Sequence, residues 1–310
     1  VSVVAAFFVL GVAARLLRTD VQFPASLHQS LTLFLLIAIG LKGGVALGDH
    51  AAAELVPQSL AVILLGLALP IIAFPLLAHV GQLTREDAAS IAAHYGSVSV
   101  GTYAVAVAVL EAQGIAYEAY FPLFVVLLEM PAIAVGLALA RSQGQIDRGN
   151  LLHEIFCNQG VVLMSGALAI GYLAGDSIAP VMPLFGDLFQ GVLALFLLEM
   201  GMVAANRLPD LKRMAPFMSA FGVIMPLMGA ALGGLLAFTL GFSAGGIALL
   251  AVLGGSASYI AAPAVMRSAL PQANHGVSIA ASLGITFPFN VLVGIPLYIT
   301  AANWLAANAA

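Results

Sequence analysis

Apolar positions along this chain do not alternate with polar ones. They run on for about 20 residues at a time, the length a helix needs to cross a bilayer's hydrocarbon core. Polar and turn-forming residues divide them into ten stretches, at 1–17, 26–47, 56–78, 87–111, 119–140, 154–174, 187–205, 215–240, 245–269 and 275–302. The connections, such as 18–20, 48–50, 82–87 and 206–213, are short and polar, so no soluble domain fits between any two stretches. A transmembrane β-barrel is excluded, because its strands alternate over about ten residues. The pattern predicts an all-α polytopic membrane protein with ten transmembrane helices.

Composition agrees. Hydrophobic residues are 62% and charged residues 8% of the chain, against about 45–50% and about 25% in a soluble domain. A soluble enzyme, a nucleic-acid binder and a disordered scaffold are thereby excluded. The first 17 residues carry no basic run and no small-residue cleavage signal, so they read as a first spanning helix and not as a signal peptide. Cys157 is the only cysteine and cannot form an intrachain disulfide. There is no Walker motif, no HExxH, no Cys pair and no nucleophile elbow, and the histidines lack metal-ligand spacing. Neither an enzyme nor a bound cofactor is expected.

Charge sets the orientation. Under the ten-span count Arg15, Arg18, Arg85, Arg141, Arg148, Arg207, Lys212, Arg213 and Arg267 fall on one side of the membrane, and Lys42 alone on the other. Basic residues gather on the cytoplasmic side, which predicts both termini outside the cytoplasm.

The chain also aligns with itself at a shift of 157–161 residues. Gly11 meets Gly171, Pro24 meets Pro183, Gly40 meets Gly201, Pro57 meets Pro216 and Pro131 meets Pro288. Between them Gly96-Ser97-Val98-Ser99 meets Gly255-Ser256-Ala257-Ser258. Each half, 1–148 and 149–310, holds five spans, and an odd number turns the second half upside down. Inverted repeats of this kind belong to secondary transporters, with the site near the midplane where the halves meet.

The paired serine motifs are the leading site candidates. On an α-helix residues two apart diverge by about 200°, whereas in an extended segment they point the same way. Gly96 and Gly101 in one half, and Gly254, Gly255 and Pro263 in the other, supply places for helices 4 and 9 to break. A break frees N–H groups for an anion and carbonyls for a cation, and at membrane depth it is tolerated only when buried or lining a cavity. The bland alternative is that the serines bond back to their own helices. Ionisable groups at depth are functional candidates by default. Glu129 could ligate Na⁺, carry a proton or pair with Lys42; Glu199 reads as a lipid-boundary or interprotomer residue; Asp187, near a span end, reads as solvated. His94 could donate to an anion or simply pack. Asn290 could offer an amide oxygen to a cation or bond between helices.

The run Gly96-Ser-Val-Ser-Val-Gly-Thr102, with Leu110-Glu111 and Ile115-Ala-Tyr-Glu-Ala119, resembles the cyanobacterial sodium-dependent bicarbonate transporters. Leu197 to Met202, Ser256-Ala-Ser-Tyr-Ile-Ala-Ala-Pro263, Leu270-Pro-Gln-Ala-Asn274, Gly284-Ile-Thr-Phe-Pro288 and Gly294-Ile-Pro296 extend the likeness through the second half. The resemblance implies a homologue outside the cyanobacterial branch, in a bacterial inner membrane. It implies two inverted five-helix repeats folded into core and gate domains, a homotrimer, and elevator-like symport of bicarbonate with Na⁺. Carried onto this chain, it places the substrate at Gly96, Ser97, Ser99, Thr102, Ser256, Ala257 and Ser258. Ser99, Ser258, Glu129 and Asn290 are the candidates for sodium or coupling, Glu129 standing where the family has an acidic residue ahead of a proline. The alternatives are another small anion, coupling to H⁺, or a non-transporting anion sensor. A PII-like regulatory partner on the cytoplasmic face is also implied. Two positions depart from the pattern: Tyr259 stands where the cyanobacterial proteins carry Asp after a serine run, and the central connection, 141–154, is short.

Overall fold

The computed structural model describes residues 3–19, 21–140, 157–211 and 216–309. The boundary between the two predicted halves, the central connection, and Arg141, Arg148, Lys212 and Arg213 lie outside the described residues. Among those described, every regular element is helical and there is no strand. In chain order the helices are α1 (Val3–Leu16), α2 (Ala25–Leu47), α3 (Ala52–Pro75), α4 (Arg85–Gly96), α5 (Val100–Ala112), α6 (Pro122–Ala140) and α7 (Gln159–Ala174). They continue with α8 (Phe189–Leu211), α9 (Pro216–Thr239), α10 (Ala244–Gly254), α11 (Ala261–Ala269), α12 (His275–Ala281) and α13 (Ile295–Ala309). Helix α3 runs on into a π-helical turn, Leu76–Val80, and α12 reaches α13 through the π-helical stretches Ser282–Thr286 and Asn290–Gly294.

Eight helical runs are long and apolar enough to cross a membrane. They match eight of the ten predicted stretches. The first stretch carries the 14-residue α1, and the ninth carries the 11-residue α10, cut short where the chain leaves helical geometry at 255–260. The run in the fourth stretch, Arg85–Ala112, is also interrupted, at 97–99, and is the most enclosed of the eight, 94% of its apolar window being buried against 33% for Gln159–Val181. An interrupted helix leaves amides and carbonyls unpaired, which is why the broken run sits inside the protein and an unbroken one faces outward.

Local sequence sets several helix starts. Thr84 caps α4 by accepting from the Asp87 amide at 3.2 Å, with Glu86 and Asp87 in the first turn complementing the helix dipole. Ser243 caps α10 through the Gly246 amide at 3.1 Å, and Asn158 caps α7 through the Gly160 amide at 2.8 Å.

Packing sorts the helices into two groups. In the first, α1 lies on α8, α2 lies on α7, and α2 also touches α8. These seams are closed by glycine: a side chain at Gly201 would strike the Phe8 carbonyl, and one at Gly40 would crowd Ala167, Met164 and the Leu168 amide. Close backbone approach at small residues is how membrane helices gain van der Waals contact when lipid is as apolar as they are. In the second group, α3, α4 and α6 pack on one another, as do α9, α10 and α13. Buried aromatic residues join its parts, Tyr95 against Phe221 and Phe121 against Phe242.

Candidate functional site

The two interruptions meet. Ser97 and Ser99 are both extended, at φ −83°, ψ 167° and φ −107°, ψ 109°. The Ser99 amide donates to Ser256 Oγ at 3.0 Å, and the Ser258 amide donates to the His94 carbonyl at 2.8 Å. His94 Nδ1 lies 2.8 Å from the Ser258 carbonyl, which can only accept, so Nδ1 carries the proton of that bond. Its Nε2 is buried without a hydrogen-bond partner. His94 therefore ties the two breaks together, the packing role of the two considered.

Each break then starts a new helix with a serine. Ser99 Oγ accepts from the Thr102 amide at 3.1 Å and from the Thr102 hydroxyl at 2.8 Å, capping α5. Ser258 Oγ accepts from the Ala262 amide at 3.1 Å, in the first turn of α11, whose N-cap position is Ile260. The first amides of α5, on Val100 and Gly101, have no acceptor in their own helix. Ser256 Oγ, besides holding Ser99, donates to the Leu253 carbonyl at 3.0 Å. Ser97 Oγ is buried and has no partner. Gly96 and Ala257 are buried beside these serines, and a side chain at Gly96 would meet Pro70 and Ala132.

A cavity of about 330 Å³ opens where these breaks face the other helix group. Ser99, Val100, Ser258, Tyr259 and Glu129 form one wall; Thr32 and Leu36 of α2, with Cys157, Asn158 and Gly160 at the start of α7, form the other. Three helix N-termini, those of α5, α7 and α11, thus converge on one space, and the amide dipoles there favour negative charge. Glu129 is buried on α6, and its carboxylate oxygens lie 3.6 and 3.9 Å from where a Gly160 side chain would begin, at the head of α7. Dipoles that attract an anion and a carboxylate with hydroxyls that attract a small cation share a single cavity.

A family model matches residues 3–303 of the chain, that of the Na⁺-dependent bicarbonate transporter superfamily. The chain belongs to this superfamily. No curated protein matches it. The superfamily is one of transporters, and the long apolar helices make this member a multi-pass membrane protein.

Not every candidate in this superfamily member reaches the cavity. Gly96, Ser97, Thr102, Ser256 and Ala257 stand behind Ser99 and Ser258 and do not line it. Asn290 is fully buried, its amide nitrogen donating to the Gly255 carbonyl at 2.8 Å and its oxygen accepting from Tyr298 at 3.0 Å, so it bonds between helices at the edge of the second break. Lys42 makes no ion pair with Glu129; its amine lies 5.0 Å from the centre of the Phe189 ring. Glu199 is buried and faces His28 at 3.0 Å across the α2–α8 seam, within one chain and away from a lipid boundary. Asp187 is exposed, as expected. Sequence reasoning passed over Thr32, Asn158 and Gly160. Asn158 had a readable signal, a capping residue just before an apolar run; Thr32, an isolated threonine in an apolar helix, had none.

Proposed function

We propose that this chain carries bicarbonate across the membrane together with Na⁺, by elevator-like alternating access. The supporting observation is the shared cavity, where two helix breaks present Ser99 and Ser258 beside the uncommitted carboxylate of Glu129. The anion takes the helix N-termini and the Ser99 hydroxyl proton as donors, the two acceptor positions of Ser99 Oγ being filled by Thr102. Sodium takes Glu129 and the Ser258 hydroxyl oxygen, which keeps one lone pair, and supplies the fixed positive charge the cavity lacks. Each ion then favours the other's binding, which couples their movement.

The packing supports an inverted repeat over 1–148 and 149–310. At a shift near 160 the seam of α1 on α8 maps onto that of α7 on α2, Gly201 against Phe8 corresponding to Gly40 against Leu168. The trio α3, α4 and α6 likewise maps onto α9, α10 and the helical run that leads from α12 into the start of α13. In this reading α1, α2, α7 and α8 are the gate, fixed in a homotrimer, and the remaining helices are the core that moves. The cavity's gate wall runs from the start of α7, a cytoplasmic end under the charge asymmetry, to the middle of α2 at Leu36, which supports an inward-facing conformation in the bacterial inner membrane, with both termini outside. A PII-like regulator would reach this opening from the cytoplasm.

The test is labelled bicarbonate uptake into proteoliposomes, with an inward Na⁺ gradient compared with choline at fixed pH. Accumulation with Na⁺ alone is expected. Equal uptake with both cations contradicts the coupling, and an undiminished response to a pH gradient in Glu129→Gln rules out a proton carried by that residue.

A further inference from the structure

One face of α2 lines two cavities in succession. Thr32 and Leu36 border the site cavity; Ile39 and Lys42, further along the same helix, border a second space of about 90 Å³. Its opposite wall is core: Tyr103 and Val107, one and two turns beyond the Ser99 cap on α5. The two spaces are therefore stacked between the same two surfaces, about 10 Å apart at 1.5 Å per residue. Three waters at about 30 Å³ each would fill the outer one, a volume that also suits a small oxyanion.

Lys42 stands at the top of this path. Its side chain also borders a shallower cavity of about 320 Å³ on the far side, shared with Asp176 and Gly175. The amine rests over Phe189 at 5.0 Å and forms no ion pair within the described residues. Glu111 is bonded to the Tyr117 hydroxyl at 3.1 Å and the Gln190 amide at 3.2 Å, and Asp176 shares the far cavity with Lys42 without forming an ion pair with it. A half-buried, unpaired ammonium at membrane depth is costly and needs a partner.

We infer that Lys42 is the residue that receives the anion when the site faces outward, a specificity contact absent from the inward-facing state. Moving the core outward along α2 by about 10 Å carries the Ser99 and Ser258 hydroxyls from Leu36 to Lys42. The ammonium then holds the anion at the outer end of its travel, and Phe189 holds the ammonium when the anion has left. The inner cavity has no equivalent cation, so the anion is released there more readily than it is captured outside.

This inference rests on the transport reading above, and the experiment separates the two. Bicarbonate KM is measured for external substrate in right-side-out vesicles and for internal substrate in inside-out vesicles, for wild type, Lys42→Met and Lys42→Arg. Loss of one charge-assisted contact is expected to raise the external KM about tenfold in Lys42→Met, with a much smaller change in the internal KM and near-normal values in Lys42→Arg. An equal change on both sides, or none, overturns the role of Lys42 while leaving transport intact. Absence of sodium-driven uptake by the wild type overturns the transport reading and this inference with it.

Discussion

The two helix breaks are nearly the same in sequence and differ in how their serines are used. Ser99 and Ser258, 159 residues apart, do one job: each accepts from a first-turn amide of the helix that follows, three or four residues on. Their neighbours, Ser97 and Ser256, diverge. Ser256 is fully spent, accepting from the Ser99 amide and donating to the Leu253 carbonyl, whereas Ser97 is buried with its hydroxyl unmatched. A repeat that was symmetric in bonding would have two braces and no spare donor. Breaking the symmetry leaves one break as the buttress and the other with a free hydroxyl. A buried hydroxyl left unpaired is costly, and this one stands behind the cavity wall, so the asymmetry is one of bracing and not of cavity contacts.

The comparison can be broken by substitution, most severely at Ser99 and Ser258. The double variant Ser99→Ala/Ser258→Ala removes both first-turn acceptors at the cavity, each worth about 0.5–2 kcal/mol. Sodium-driven uptake is expected to fall by about fivefold to several hundredfold when two such terms add, read as initial rate in proteoliposomes. Ser256→Ala comes next: it leaves the Ser99 amide buried without an acceptor, at a cost of about 1–3 kcal/mol, and should lower the thermal midpoint in detergent. Ser97→Ala is the converse, with no protein bond to lose; its midpoint should stay at the wild-type value and KM for the anion should change by less than about twofold, since the residue stands behind the cavity wall. Tyr259→Phe should change least. The Tyr259 hydroxyl lies over Gly101 without a well-formed bond, so its removal is expected to shift stability by less than about 0.5 kcal/mol. A thermal loss in Ser97→Ala equal to that in Ser256→Ala would erase the distinction between the two serines.

The breaks were legible in the chain because glycine and serine at two-residue spacing are a poor helix and a good extended segment, and because the pattern occurs twice. The family, too, could be read from those motifs. The division of labour could not. Ser97 and Ser256 occupy matching places, and only the fold shows that Ser256 reaches across to Ser99. Asn290 was equally ambiguous: its amide had two uses on paper, and the Gly255 carbonyl and Tyr298 hydroxyl, 35 and 8 residues away, occupy both ends. Glu199 read as a boundary residue because its partner, His28, lies on another helix. Long-range pairing of this kind leaves no local periodicity to detect.

Cys157 offers a native reporter of the cavity mouth, being exposed and the sole thiol. Its labelling by a maleimide should slow when Na⁺ and bicarbonate are both present and the core moves outward. Equal rates with and without the ions would place the cavity outside the transport path.

The central claim, that one cavity binds anion and cation interdependently, is tested most directly by bicarbonate binding to the purified protein in Na⁺ and in choline. The account predicts that Na⁺ tightens bicarbonate binding at least about fivefold, a coupling of about 1 kcal/mol or more, and that Glu129→Gln abolishes the difference. Equal affinity in the two salts, with binding intact, would contradict it.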